Sequence, residues 1–121
     1  MTVLRNGKIT IVSGLPGSGK NYFIEQRRKA GEMILDVDEI FVALGSPQAH
    51  KHCEEFVPFV CEARDAILRR FHRPHEVKHA WIIISDKTAA SIWALDLKAD
   101  HVHLDVAEDE RKRRLKVRSD G

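Results

Sequence analysis

A glycine-rich segment near the start of the chain has the composition of a phosphate-binding loop. It follows the spacing G-x-x-x-x-G-K and consists of Gly14, Leu15, Pro16, Gly17, Ser18, Gly19 and Lys20. Glycines let successive backbone N–H groups converge on one anion, and a lysine ammonium adds a positive charge beside them. The pattern predicts that the loop holds the phosphates of a nucleotide, with Lys20 reaching the β- and γ-phosphates.

The residue after the lysine departs from the usual pattern. Loops of this kind place Ser or Thr there, and the hydroxyl helps to hold Mg²⁺. This chain has Asn21 instead. An amide oxygen also ligates hard cations, but asparagine is longer and its NH₂ end repels a metal. We therefore predict that nucleotide binding tolerates Asn21 better than catalysis does.

Two carboxylates follow the second apolar run, at Asp36 and Asp38. Residues two apart on a strand point the same way, so both are predicted to lie at the carboxyl edge of the sheet, where open α/β sheets bind ligands. We assign Asp36 to a metal or its waters, and Asp38 to the group that attacks the γ-phosphoryl. The alternative is that Asp38 caps the next helix.

Three more side chains are candidates for the same edge. Asp86 follows the most apolar run, either as a metal ligand or as the start of a helix, and its neighbour Ser85 is a candidate substrate contact. Arg64 is predicted to border the apolar face of a long helix, where its guanidinium fits a substrate phosphate or carboxylate. A solvated arginine is the alternative.

The C-terminal stretch is basic, with six Lys or Arg among residues 111–118. Arg111, Arg114 and Arg118 share one face of a helix predicted over 108–118, so they are candidates for stabilising charge on a transferring phosphoryl group. An exposed helix that contacts nucleic-acid phosphates is the other interpretation.

Histidines and tryptophans form the remaining candidate sets. Neither histidine set has the paired spacing of a structural zinc site, so metal binding by histidine is not expected. Trp81 and Trp93 are assigned to packing, with base stacking by Trp93 as the alternative. The two histidine sets are His50 with His52 and Cys53, and His101 with His103 and Asp105.

Short β-branched runs alternate with stretches of helical period, which is typical of an α/β domain. The long connections favour parallel pairing of the strands. We expect Gly31 to cap the first helix and Pro58 to kink the third. The predicted strands cover 8–13, 32–37, 79–85 and 100–106. The predicted helices cover 20–30, 38–44, 48–71, 88–95 and 108–118.

Composition limits the class of protein. The chain has 121 residues, 43% hydrophobic and 31% charged, which predicts one folded domain over residues 1–121. Its apolar runs are too short to span a membrane, and the N-terminus does not read as a signal peptide. We therefore expect a cytoplasmic protein. Positive and negative side chains nearly balance, with a net charge of +2, so the overall charge does not indicate nucleic-acid binding.

Together these motifs resemble the P-loop small-molecule and nucleotide kinases, a group that includes shikimate, gluconate and adenylate-kinase-like enzymes and the AAA-labelled kinase-like proteins of bacteriophages. The resemblance rests on GLPGSGKN, ILDVDEI, the apolar third strand and HLDVAEDERKRRLKVR. It implies a three-layer P-loop NTPase fold with a parallel sheet in the order 2-3-1-4. It also implies that residues 108–121 form a lid whose arginines close over the phosphates. The resembled kinases continue into a fifth strand, which we expect to be missing or truncated here.

The implied activity is transfer of the γ-phosphoryl group of ATP, with Mg²⁺, to a small acceptor such as a nucleoside or nucleotide. Lys20, Asp38, Arg114 and Arg118 are the expected catalytic residues. Two alternatives stay open. A polynucleotide 5′-kinase would need a basic channel for a strand end. A non-catalytic ATP-binding module is suggested by Asn21 and by the missing region after the lid.

Overall fold

A computed structural model of the chain describes residues 7–47 and 52–105. Its strands are β1 (Lys8–Ser13), β2 (Met33–Asp36), β3 (His79–Ile84) and β4 (Asp100–His103). Its helices are α1 (Lys20–Glu25), α2 (Val37–Leu44), α3 (Val57–Arg70) and α4 (Lys87–Leu97), with a 3₁₀ turn at Glu54–Phe56 before α3.

The four strands form one parallel sheet in the order β2-β3-β1-β4. The predicted α/β class and strand order are thereby confirmed. Ser13, the last residue of β1, lies opposite Ile84 of β3 and His103 of β4. Because all strands run the same way, the segments that follow β1, β2 and β3 begin at one edge of the sheet, which we call the carboxyl edge.

The central strand β1 is buried on both faces, as the sequence predicted. On one face Ile11 packs in a cluster with Phe71, which caps the C-terminus of α3, and with Ala90 of α4. On the other face Val12 packs with Ile24 of α1. The phosphate-loop candidate therefore directly follows a strand that is buried on both faces and paired with a neighbouring strand on each side.

Polar contacts tie the start of β2 to the neighbouring strands. The indole Nε1–H of Trp81 donates to Oε1 of Glu32 at 3.0 Å, and the Trp81 ring stacks on His79 at 4.1 Å. His79 in turn hydrogen-bonds to Thr10 Oγ1 at 2.9 Å. Trp81 is 4% exposed, in agreement with the packing role predicted for it.

The first helix is shorter than predicted. It ends at Glu25, and residues 25–30 are all exposed, so no packed face supports its continuation. Gly31 does adopt a left-handed conformation, with φ +86°, but in a turn beyond the helix and not as its cap.

Two predictions for the third helix are also wrong. Pro58 lies in the first turn of α3, where its missing N–H group breaks no helical bond, so it does not kink the helix. The helix starts at Val57, after the 3₁₀ turn, while the predicted start at 48 falls outside the described residues.

Strand β4 ends at His103, earlier than expected.

The predicted lid, residues 108–121 with Arg111, Arg114 and Arg118, lies outside the described residues and stays a prediction. Within residues 7–47 and 52–105, no helix is long and apolar enough to cross a membrane.

Candidate nucleotide-binding site

The glycine-rich loop follows β1 directly and leads into α1. A Cβ atom on Gly14 would collide with Ser18 Oγ and lie 3.0 Å from the carbonyl oxygen of Leu104, so only glycine fits there without movement. Gly17 and Gly19 have φ angles of +84° and +92°. The path of the loop therefore requires the glycines that the motif predicts.

The ammonium of Lys20 lies against the start of the same loop. Its Nζ donates to the carbonyl oxygens of Gly14 at 2.6 Å and Leu15 at 3.2 Å. These contacts hold the charge beside the loop, where a bound phosphate would exchange places with neutral carbonyl acceptors. A hydrogen bond from the ammonium to an anionic phosphate oxygen is stronger than one to a neutral carbonyl oxygen.

Ser18 provides an unsatisfied donor in the loop. The residue is 5% exposed, and in the described part of the chain its buried Oγ hydrogen-bonds to no protein atom. Leaving a buried hydroxyl unpaired costs on the order of 1–3 kcal/mol.

A cavity of about 680 Å³ opens between the loop and the ends of β2 and β3. Drug-sized ligands occupy cavities of ~300–1,000 Å³, so a nucleotide is within the range. Gly14 and Ser18 are buried behind the loop surface, and Leu15 is exposed. The predicted site residues that line the cavity are Pro16, Gly17, Gly19, Lys20, Asn21, Asp36, Asp38, Arg64, Ser85 and Asp86.

Asp36 and Asp38 reach this cavity by a route that differs from the predicted one. Strand β2 ends at Asp36 and α2 begins at Val37, so Asp38 lies in a helix and the two do not share a strand face. Asp36 is the N-cap, and its Oδ1 accepts the backbone N–H of Asp38 at 3.0 Å. The alternative that Asp38 caps the helix is therefore wrong. Burial, and next the Asp38 carboxylate, raise the pKa of Asp36 above its ordinary value of 3.8.

Asp38 has a histidine partner. Its Oδ1 lies 2.7 Å from Nε2 of His52, whose ring stacks face to face on Phe41 with centroids 3.9 Å apart. The sequence placed His52 only in a weak metal set with His50 and Cys53, and His50 lies outside the described residues. Nothing in one sequence signals this contact, because the partners are 14 residues apart in the chain.

The two residues after β3 have different environments. Asp86 caps α4, and its Oδ1 accepts the backbone N–H groups of Thr88 at 2.8 Å and Ala89 at 3.2 Å. The helix-start interpretation of Asp86 is thus confirmed, although its side chain also lines the cavity. Ser85 is exposed at the cavity wall, where a substrate contact stays a prediction.

Arg64 is held at the cavity wall by two neighbours. Its Nε and Nη2 atoms lie 3.0 Å and 2.9 Å from Oδ1 of Asp65, and its guanidinium carbon is 5.5 Å from the ring centroid of Trp93. With 27% of its side chain exposed, Arg64 is not the freely solvated arginine of the alternative. Trp93 also lines the cavity, so packing does not describe it completely.

The acidic residues fit a metal that is shared with a ligand. Within the described ranges, no cluster of three or more His, Cys, Asp or Glu side chains is arranged to hold a metal ion. Mg²⁺ is usually bound by one or two carboxylates together with substrate phosphates and water. Asp36 would supply one such carboxylate and Asn21 an amide oxygen. Burial, and next the Asp38 carboxylate, raise the pKa of Asp36, and a cation beside it would favour the ionised form.

Two histidines of the second set, His101 and His103, share a serine as hydrogen-bond partner. Ser13 Oγ lies 2.7 Å from His101 Nε2 and 2.9 Å from His103 Nδ1, while His103 Nε2 is 3.8 Å from Asp105 Oδ1. Their shared partner shows that His101 and His103 point to the same face of β4. Ser13 is fully buried and directly precedes the loop, so this network supports the base of the site.

Comparison with protein-family models gives no match, and comparison with curated proteins gives none either. The function is therefore inferred from the residues of the site itself.

Proposed function

We propose that the protein is a P-loop NTPase of the kinase type that binds ATP and transfers its γ-phosphoryl group to a small acceptor, a nucleoside or nucleotide. The observation that carries the proposal is the Gly14–Lys20 loop, which faces a cavity of about 680 Å³ also lined by Asp38 and Arg64. The loop lies between a buried strand and a helix, which is the structural context in which this motif binds nucleotide phosphates. We place the reaction in the cytoplasm.

The loop is assigned to the phosphates of ATP. Its backbone N–H groups and the Lys20 ammonium would bind the β- and γ-phosphates. Binding would draw Lys20 away from the carbonyl oxygens of Gly14 and Leu15.

Asp38 is assigned to the acceptor. As the acceptor hydroxyl oxygen forms its bond to the γ-phosphorus, the bond from that phosphorus to the leaving oxygen of ADP breaks, and ADP keeps the electron pair. The hydroxyl proton passes to the Asp38 carboxylate and then to solvent. Arg64 is assigned to an anionic group of the acceptor, and Arg114 and Arg118, outside the described residues, to the charge on the transferring group.

Mg²⁺ would be held by Asn21, Asp36 and Asp86 together with phosphates and water, and would supply charge neutralisation on the β- and γ-oxygens. Asp36 and Asp86 also cap helices, and each uses one carboxylate oxygen to accept backbone N–H groups. That oxygen is less available to a metal, which leaves mainly the second oxygen of each residue as a ligand. These restricted ligands and Asn21 favour one second candidate, a module that binds ATP without turning it over.

Calorimetry with ATP and ADP, with and without Mg²⁺, tests binding, and an acceptor screen that reads ADP release tests turnover. Lys20→Ala is expected to abolish both signals. Lys29→Ala, at an exposed lysine beyond α1, is the matched control and should change neither. ATP binding without ADP release from any acceptor would favour the non-catalytic module. Unchanged ATP affinity in Lys20→Ala would overturn the site assignment.

A further inference from the structure

We infer that His52 is a positioning residue for the proposed phosphoryl transfer, because it fixes the carboxylate of Asp38 at the cavity. The inference rests on the proposed function, since it concerns the group that receives the acceptor's proton. His52 does not itself line the cavity, so it acts through Asp38.

The direction of the hydrogen bond follows from the chemistry of the two groups. An ionised carboxylate only accepts hydrogen bonds, so Nε2 of His52 carries the proton and donates to Oδ1 of Asp38 across 2.7 Å. Half of the Asp38 side chain is exposed, and an exposed carboxylate without such a donor would sample several rotamers. The bond selects one of them and still leaves the second oxygen, Oδ2, for the acceptor hydroxyl.

The ring of His52 is itself held in place. It lies parallel to the ring of Phe41, with an interplanar angle of 1° and centroids 3.9 Å apart. Phe41 is 4% exposed and belongs to α2, three residues after Asp38, so one helix face presents both the carboxylate and the stacking surface. His52 bridges the two.

The backbone next to His52 is anchored to the end of the same helix. Cys53 N–H donates to the buried Ser46 Oγ at 3.1 Å, and Ser46 N–H donates to the Phe41 carbonyl at 2.9 Å. The hydrogen bond of His52, its ring stacking and the anchor of the backbone next to it therefore all connect this residue to α2 or to the segment that directly follows α2. Such a fixed geometry is what a proton-accepting group needs, since misplacement by about 1 Å lowers rates by up to about a hundredfold.

Two substitutions separate the hydrogen bond from the stacking. His52→Phe keeps a ring for Phe41 but has no donor, whereas His52→Gln keeps an N–H donor but has no ring. We expect His52→Phe to lower kcat by about tenfold or more while the KM for ATP changes by less than about twofold. His52→Gln should recover most of the lost kcat. ATP affinity measured by calorimetry reports that each variant is folded.

His72 provides a matched control. Its Nε2 lies 2.9 Å from Oδ2 of Asp96, the same kind of pair on an exposed surface, and neither residue lines the cavity. His72→Phe should leave kcat unchanged. If His52→Phe retains full kcat, or if His52→Phe and His52→Gln lose kcat equally, the inference is overturned while the proposed function stands. If the unaltered protein shows no turnover, the proposed function fails and this inference fails with it.

Discussion

The backbone N–H of Asp38 donates to the carboxylate of Asp36 at 3.0 Å, so the first acid of the pair begins the helix that carries the second. This bond turns the chain from β2 into α2 at the carboxyl edge of the sheet. Asp36 therefore has a structural role that exists without any ligand, besides the metal role proposed for it. The two roles respond differently to substitution.

Asp36→Ala removes the cap and should lower the free energy of unfolding by about 1 kcal/mol. Asp36→Asn keeps an oxygen that accepts the Asp38 N–H, and it removes a carboxylate whose pKa is raised by burial and by Asp38. Urea denaturation at neutral pH should therefore show Asp36→Asn to be at least as stable as the unaltered protein. Equal destabilisation by both variants would contradict the capping role.

Asp38→Asn should leave ATP affinity within about twofold and lower turnover by about a hundredfold or more, the usual contribution of a general base. Asparagine has the same shape, so the contact with His52 Nε2 can persist through the amide oxygen. Calorimetry and ADP release measure the two quantities on the same preparation. Turnover that survives this substitution would remove Asp38 from the reaction.

Gly14→Ala places a methyl group against Ser18 Oγ and the Leu104 carbonyl, so the loop must shift. We expect ATP affinity to fall by about tenfold or more, since loop amides then lose their alignment. Gly31→Ala is the control: its added Cβ meets nothing within 4 Å, but its φ of +86° strains alanine by about 1 kcal/mol. This control should lose stability in urea and keep its ATP affinity. Normal affinity in Gly14→Ala would count against the loop.

The network around Ser13 predicts a pH dependence of stability. Burial, then His103 and Lys87, lower the pKa of His101 below its ordinary value of 6.5. The unfolded chain therefore binds a proton at His101 more readily than the folded chain. Stability should fall as the pH drops from above 6.5 through the lowered pKa of the folded state.

Urea midpoints across this range test the prediction with His101→Gln, whose amide can still contact Ser13 Oγ. His79 also has a lowered pKa, so the unaltered protein and the variant will share part of the acid sensitivity. The variant should show the smaller loss on acidification. Parallel curves for the two proteins would assign the effect to other groups, such as His79.

Much of the fold could be predicted because local sequence and global topology agree. KITIVS followed by glycines indicated β1 and the loop, and the bounds Lys8–Ser13 are those of the structure. The apolar run of β3 marked a central strand, and the order of all four strands followed from the resemblance. Helix ends were less predictable, since α1 stops where its exposed residues find no packing partner.

The sequence predicted which residues belong to the candidate site better than it predicted the contacts between them. Lys20, Asp38 and Arg64 were named from the sequence, and the structure brings all three to one cavity. Which aspartate caps α2 depends on a one-residue shift in the end of β2, which periodicity does not resolve. The His52 contact with Asp38 joins residues that are 14 apart in the chain, so no local sequence pattern predicts it.

The two tryptophans occupy opposite extremes of access to the cavity. Trp81 is sealed within the sheet and bonded to Glu32, whereas Trp93 shares a wall of the cavity with the Arg64 guanidinium. We expect emission from Trp81 to stay constant on ligand binding, and emission from Trp93 to change with the polarity and occupancy of the cavity. The protein thus carries its own optical reporter, and replacing Trp81 by Phe would isolate that signal for titrations without any attached dye.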